Sequence, residues 1–111
     1  MSKHARLENT IQRRLSEILR QDVKDPRLSF VTVTAVKLTV DLTQLKVYVT
    51  VLTDDENEKE QAVQALNHSK AFIRTTLAQR IDMRKSPALT FVYDRSLERG
   101  NEIEAGLKKV L

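Results

Sequence analysis

No cysteine occurs in the 111 residues of this chain, so it has neither a disulfide framework nor a thiolate metal site. Glycine and proline appear twice each, and both glycines, Gly100 and Gly106, lie near the C-terminal end. A phosphate-cradling loop needs clustered glycines ahead of a helix, and so does the GXXG clamp with which ordinary KH domains grip single strands; both are excluded. Tryptophan is absent, and two tyrosines and three phenylalanines are too few for a base-stacking platform of the RRM kind. The two histidines, His4 and His68, lack metal-ligand spacing. His68 next to Ser69 does not make a catalytic pair, because adjacent helical residues diverge and no acid is placed to orient the histidine. We therefore expect no catalytic residue, metal or cofactor, and no enzyme. No apolar run approaches membrane-spanning length, and the opening "MSKHARLENT" lacks the apolar core of a signal peptide. The expected address is cytoplasmic.

What is present is charge. Hydrophobic residues make up 41% and charged residues 31%, which fits one water-soluble domain over 1–111. The net charge of +4 is modest, but it is unevenly spread. Lys3, Arg6, Arg13, Arg14, Arg20 and Lys24 stand against Glu8, Glu17 and Asp22 in the first segment. Lys70, Arg74, Arg80, Arg84 and Lys85 stand against Asp82 alone in a later one. "DDENEKE" at 54–60 forms an acidic corner between them.

Leu7, Ile11, Leu15, Ile18 and Leu19 fall on one stripe of a helix that must stop near Lys24, ahead of Pro26. Arg6, Arg13 and Arg20, seven apart, share the opposite face, with Lys3 at its margin; Glu17 is placed to pair with Arg13 or Arg20. "FVTVTAVKL" and "LKVYVTVL" alternate with period two and predict two strands joined by a hairpin, with a bulge near Thr34 or Ala35 where the parity of the valines changes. Val47, Val49 and Val51 point one way, and Lys46, Tyr48 and Thr50 the other, as in a sheet covered on one face. A second helix should open with a capping box between Thr53 and Glu56. One straight helix from there to Ile81 would put Lys70 on its apolar stripe and turn Phe72 away, so a kink is expected around Ser69, Lys70 and Ala71 that gives each half a consistent face. "ALTFVYD" is the third strand, with Leu89, Phe91 and Tyr93 on one side; Ile103, Leu107 and Val110 mark a short terminal helix. The order α-β-β-kinked α-β predicts an α+β fold with helices on one face of a three-stranded sheet, strand order unread.

Three blocks in this order, "IQRRLSEILRQDVKDPRL", "VTVTAVKLTVDLTQLKVYVTVL" and "FIRTTLAQRIDMRKSPALTFVYDRSLERGNEIEAGL", resemble the ribosome-binding factor A family over nearly the whole chain. The resemblance implies a type II KH-like fold and binding, without catalysis, to the free small (30S) ribosomal subunit. It also implies support for late maturation and processing of 16S ribosomal RNA, and a link to growth in the cold. Where that family usually has Ala-x-Gly at its helix bend, this chain has Ser69, Lys70 and Ala71, which predicts a shallower kink. With the glycine clamp missing, the expected contact is Lys and Arg against phosphates, which positions a partner without reading its bases. Lys3, Arg6, Arg13, Arg14, Arg20, Lys24, Lys70, Arg74, Arg80, Arg84 and Lys85 are the candidates, on a chain expected to be monomeric and to bind neither membrane nor small-molecule substrate. The competing expectation is a protein-interaction module that uses an open strand edge or the acidic corner.

Overall fold

The computed structural model describes residues 2–28, 30–83 and 85–96. Helix α1 spans Lys3–Gln21; Ser2, with extended backbone, caps it by accepting the Ala5 N–H at 3.1 Å, one of the amide donors a helix start leaves unpaired. Ile11, Leu15, Ile18 and Leu19 are buried along one side, as the apolar spacing requires. Past Asp22 the chain leaves the helix, and Pro26 opens a short 3-10 turn, Pro26–Leu28, that delivers Leu28 to the core.

Strand β1 (Val31–Leu38) pairs antiparallel with β2 (Gln44–Val51). Strand β3 (Ala88–Tyr93) lies on the other side of β2 and parallel to it, giving the order β1-β2-β3. The register slips between Val33 and Ala35, at the expected bulge. Thr34 is the extra residue, and its insertion lets Val33 and Val36 both face the core despite their unlike parity. Its hydroxyl donates to Asp94, tying the bulge to the end of β3. In β2, Leu45, Val47 and Val49 are buried while Lys46, Tyr48 and Thr50 take the opposite face.

Helix α2 (Glu56–His68) starts two residues later than the expected capping box would place it. Asp55 is the cap, accepting the Asn57 N–H at 2.8 Å, and Thr53 Oγ1 instead accepts the Asp55 N–H at 3.1 Å. A carboxylate beside the positive end of a helix gains from the dipole as well as the hydrogen bond, which favours Asp over Thr for the cap. Helix α3 (Lys70–Ile81) follows after a single residue. Ser69 breaks the run with φ −93° and ψ 4°, yet its N–H still reaches the carbonyls of Ala65 and Leu66 and its own carbonyl accepts from Ile73. Of the three kink candidates, only Ser69 leaves helical geometry; Lys70 and Ala71 already belong to α3. The break sends Lys70 to solvent and buries Ile73 and Leu77, but Phe72 stays 51% exposed, against the expectation that the kink would give α3 a consistent face.

Helix α1 packs on β1, α3 on α1, and α2 on β3 and the 3-10 turn, so the three helices share one face of the sheet. Side chains from the helices also engage parts of the sheet's edges. Along β1, Glu8 accepts the Leu38 N–H at 2.9 Å, His4 Nε2 donates to the Leu38 carbonyl at 2.7 Å, and Gln12 Nε2 donates to Val33 at 3.3 Å. On β3, Asn67 Oδ1 accepts the Phe91 N–H. An edge whose polar groups are engaged in this way is a poor template for an added strand. The expected terminal helix at Ile103, Leu107 and Val110 lies outside the described residues.

Candidate nucleic-acid interface

The candidate cations divide according to what their heads touch. On α1, Lys3, Arg6, Arg13 and Arg20 are exposed and make no ion pair among the described residues, as does Lys24 just beyond the helix. Three arginines seven residues apart on a helix drift by only about 20° per interval, so they form one long stripe. Glu17 does not neutralise it. The expected pairing with Arg13 or Arg20 is replaced by one with Arg14, whose Nη1 lies 3.1 Å from both carboxylate oxygens. Three residues on is a neighbouring position on a helix, and Arg14 is partly buried on the flank of α1, where holding a side chain costs less conformational freedom than on the open face.

The second basic segment is more occupied. Arg74 Nε and Nη2 both donate to the Ser86 carbonyl, at 3.1 and 2.8 Å, and so hold the segment leading into β3 against α3. Arg80 pairs with Asp22 at the end of α1. Arg80 is thus compensated by a carboxylate, while Arg74, with Lys70 the strongest single candidate of this segment by sequence, keeps its charge but also has a structural task. Lys70 and Lys85 are exposed without an ion pair among the described residues, and Arg84 lies outside them.

The acidic corner is partly neutralised from within. Glu56 is held by Arg95 at 2.8 Å and Lys59 at 3.2 Å, and these hydrogen bonds, Arg95 first, lower its pKa to about 2. Lys59 and Arg95 both stand over the Tyr93 ring, 5.3 and 5.2 Å from its centre. Lys59 is 7% exposed, a buried cation that no apolar pattern would place inside. Asp25 is likewise drawn down to about 2, by its hydrogen bond to Arg27.

Two cations escaped the sequence reading as candidates. Lys37 and Lys46 are cross-strand partners on the uncovered face of the sheet, both exposed. Like charges directly opposite on a strand pair repel. Finding them requires the register, which depends on the exact place of the bulge. Among the described residues there is no group of three or more His, Cys, Asp or Glu side chains able to hold a metal ion, and no helix long and apolar enough to cross a membrane.

A family model described as "Ribosome-binding factor A" matches residues 3–107. The chain belongs to the ribosome-binding factor A family. A ribosome-binding factor A of Desulfitobacterium hafniense (strain DSM 10664 / DCB-2) is 39% identical over 112 aligned positions, covering 99% of this chain and 89% of that protein. One from Macrococcus caseolyticus is 43% identical over 99 positions, covering 89% and 86%. The crystal structure of ribosome-binding factor A from Thermus thermophilus superposes with a TM-score of 0.74 at 36% identity, over 86% of this chain and 100% of that one. A homology model of the Thermus thermophilus factor, fitted into the cryo-EM map of its complex with the 30S subunit, matches with a TM-score of 0.68 at 37% identity, over 83% and 96%. The fold is thus the α+β, KH-like one of this family, and in this member the bend between the two later helices is built on a serine.

Proposed function

We propose that this chain is a non-catalytic RNA-binding assembly factor, a single domain that binds the free 30S subunit and assists late maturation and processing of 16S ribosomal RNA. The observation that carries the reading is the stripe of Arg6, Arg13 and Arg20, flanked by Lys3 and Lys24: exposed, and free of carboxylate partners among the described residues. Such a surface suits a polyanion's sugar-phosphate chain, and it needs no base-reading clamp. Lys70 and Lys85 supply further positive charge. Family membership and the Thermus thermophilus factor's fitted complex with the 30S subunit support the choice of polyanion. The protein-interaction alternative is weakened by the partly engaged strand edges and by the internal pairing of Glu56.

A salt titration of binding to purified small subunits tests this. Neutralising about 4–6 phosphates gives a slope of log K against log salt of about −3 to −5. A slope near zero overturns the electrostatic reading. Cosedimentation that survives complete nuclease digestion of the subunit's RNA would point to a protein partner instead.

A further inference from the structure

A cleft of about 730 Å³ opens between the start of α1, the β1–β2 turn and the segment after α3, well inside the size range of small-ligand sites. Four observations converge on it. The described backbone contains two non-glycine residues with positive φ, Leu42 at 64° and Asp82 at 58°, and both line this cleft. Asp tolerates the left-handed region through its short polar side chain, whereas for Leu the β-carbon clash has no such relief; strain of this kind gathers where a site needs a particular side chain. Leu42 in fact sits at a turn position that glycine would fill without strain, with its N–H on the Thr39 carbonyl at 2.9 Å. Its side chain joins Leu7, Ile81 and Met83 in an apolar wall.

Second, the polar groups of the cleft are incompletely used. Asp41 Oδ1 takes three donors, from Thr39 Oγ1, the Thr43 N–H and Thr43 Oγ1, while Oδ2 has none among the described residues. The Asp82 carboxylate also has no partner among them. Third, Ser86 lines the cleft, is 9% exposed, and its buried Oγ lacks any hydrogen-bond partner among the described residues, a costly arrangement for a hydroxyl in a folded protein. Fourth, Arg74 and Lys85 place positive charge on the rim, and Arg74 Nη1 is not engaged by the Ser86 carbonyl.

The geometry points to a pocket for one unpaired RNA nucleotide, its base against the Leu7, Leu42, Ile81 and Met83 wall and its phosphate toward Lys85. Free carboxylate oxygens accept from an exocyclic amine, and Arg74 Nη1 donates to a ring nitrogen beside it. Adenine and cytosine present that donor-acceptor edge; uracil offers a carbonyl where the amine should be and is repelled by the carboxylates. This deepens the proposed function and rests on it: the stripe on α1 holds the backbone, and the cleft adds preference for a base.

Hexacytidylate and hexauridylate RNA separate the two claims, because they carry the same phosphates. Fluorescence anisotropy should give the same salt slope for both but about tenfold tighter binding for hexacytidylate, the discrimination expected of one good pair of hydrogen bonds to a base edge. Backbone amides of Leu42, Thr43, Met83 and Lys85 should shift in NMR spectra on its addition. Leu42→Gly, which relieves the left-handed strain, should abolish the preference, and Asp41→Asn, which can present an amide donor, should erase or reverse it. Equal affinities of the wild-type chain for the two hexamers, or a preference that survives in both variants, overturns the cleft and leaves the backbone reading standing. Flat salt dependence for both hexamers and for the subunit overturns both.

Discussion

The two basic segments rank one way by composition and the other way in space. Residues 70–85 carry five bases against Asp82, a larger relative excess than the six against three acids in residues 1–24. In the folded chain the first segment is the more open. Its Glu17 is taken up by Arg14, its Glu8 accepts a strand N–H, and its Asp22 neutralises Arg80, a base of the other segment 58 residues away. A local charge sum treats an acid as a cost to its own segment. Tertiary structure spends it elsewhere, and here that leaves Arg6, Arg13 and Arg20 clear while Arg80 is covered.

The largest expected effect tests that ranking directly. Arg6→Glu, Arg13→Glu and Arg20→Glu together should weaken 30S binding by at least ~100-fold, as three charge-assisted contacts of roughly 1.5 kcal/mol or more are lost and reversed. The thermal midpoint should barely move, since the side chains are exposed and make no ion pair among the described residues. Lys70→Glu with Lys85→Glu should cost less, about tenfold. Equal losses in subunit-binding assays would erase the distinction between the segments.

Stability should show the opposite ranking. Arg74→Ala takes both guanidinium donors from the Ser86 carbonyl and should cost about 1–2 kcal/mol in urea unfolding, because a partly buried acceptor is left without its donors. Arg13→Ala, on the open stripe, should stay within about 0.5 kcal/mol of wild type. If the two were indistinguishable, Arg74 would be a surface cation like the rest and its assignment to the α3–β3 link would fail.

The Arg80–Asp22 pair should matter less again. Both side chains are partly solvated, so Arg80→Gln should lower stability by about 0.5–1 kcal/mol. Asp22→Asn should do the same, and the double variant should cost no more than either alone, since both remove one interaction. Additive losses in that cycle would mean the pair is not coupled, and Arg80 would return to the set of available cations.

Elements and faces were readable because each depends on short-range periodicity. The α1 stripe, the alternation of β2, the bulge at Thr34 and the break at Ser69 all follow from residues within a few positions of one another. The α2 cap was misplaced by two residues, since Thr53 and Asp55 are both good caps and the capping-box spacing to Glu56 outweighed the advantage a carboxylate has at a helix start. Partners across long separations were illegible: nothing near Arg80 announces Asp22, nothing near Arg74 announces Ser86, and the placing of β3 parallel to β2 leaves no local mark. The left-handed Leu42 was illegible for a different reason, because leucine is among the last residues a turn pattern would put there.

The smallest effect concerns the acidic corner, where the contrast with α1 is one of compensation. Glu56 has its pKa lowered from 4.5 to about 2 by Arg95 and Lys59 in the folded chain. As the pH falls, the unfolded chain therefore takes up a proton at this site first. The stabilisation is fully present above the ordinary value, and it drains away as the pH drops through the interval down to about 2. Urea midpoints of wild type and Glu56→Gln should thus differ slightly at neutral pH and converge in acid; the group is exposed, so the gap stays small. The convergence tells a paired corner from a free one. A Glu56 open to a basic protein partner would titrate near 4.5 in the isolated chain, and the two midpoints would then keep a constant separation across the acid range.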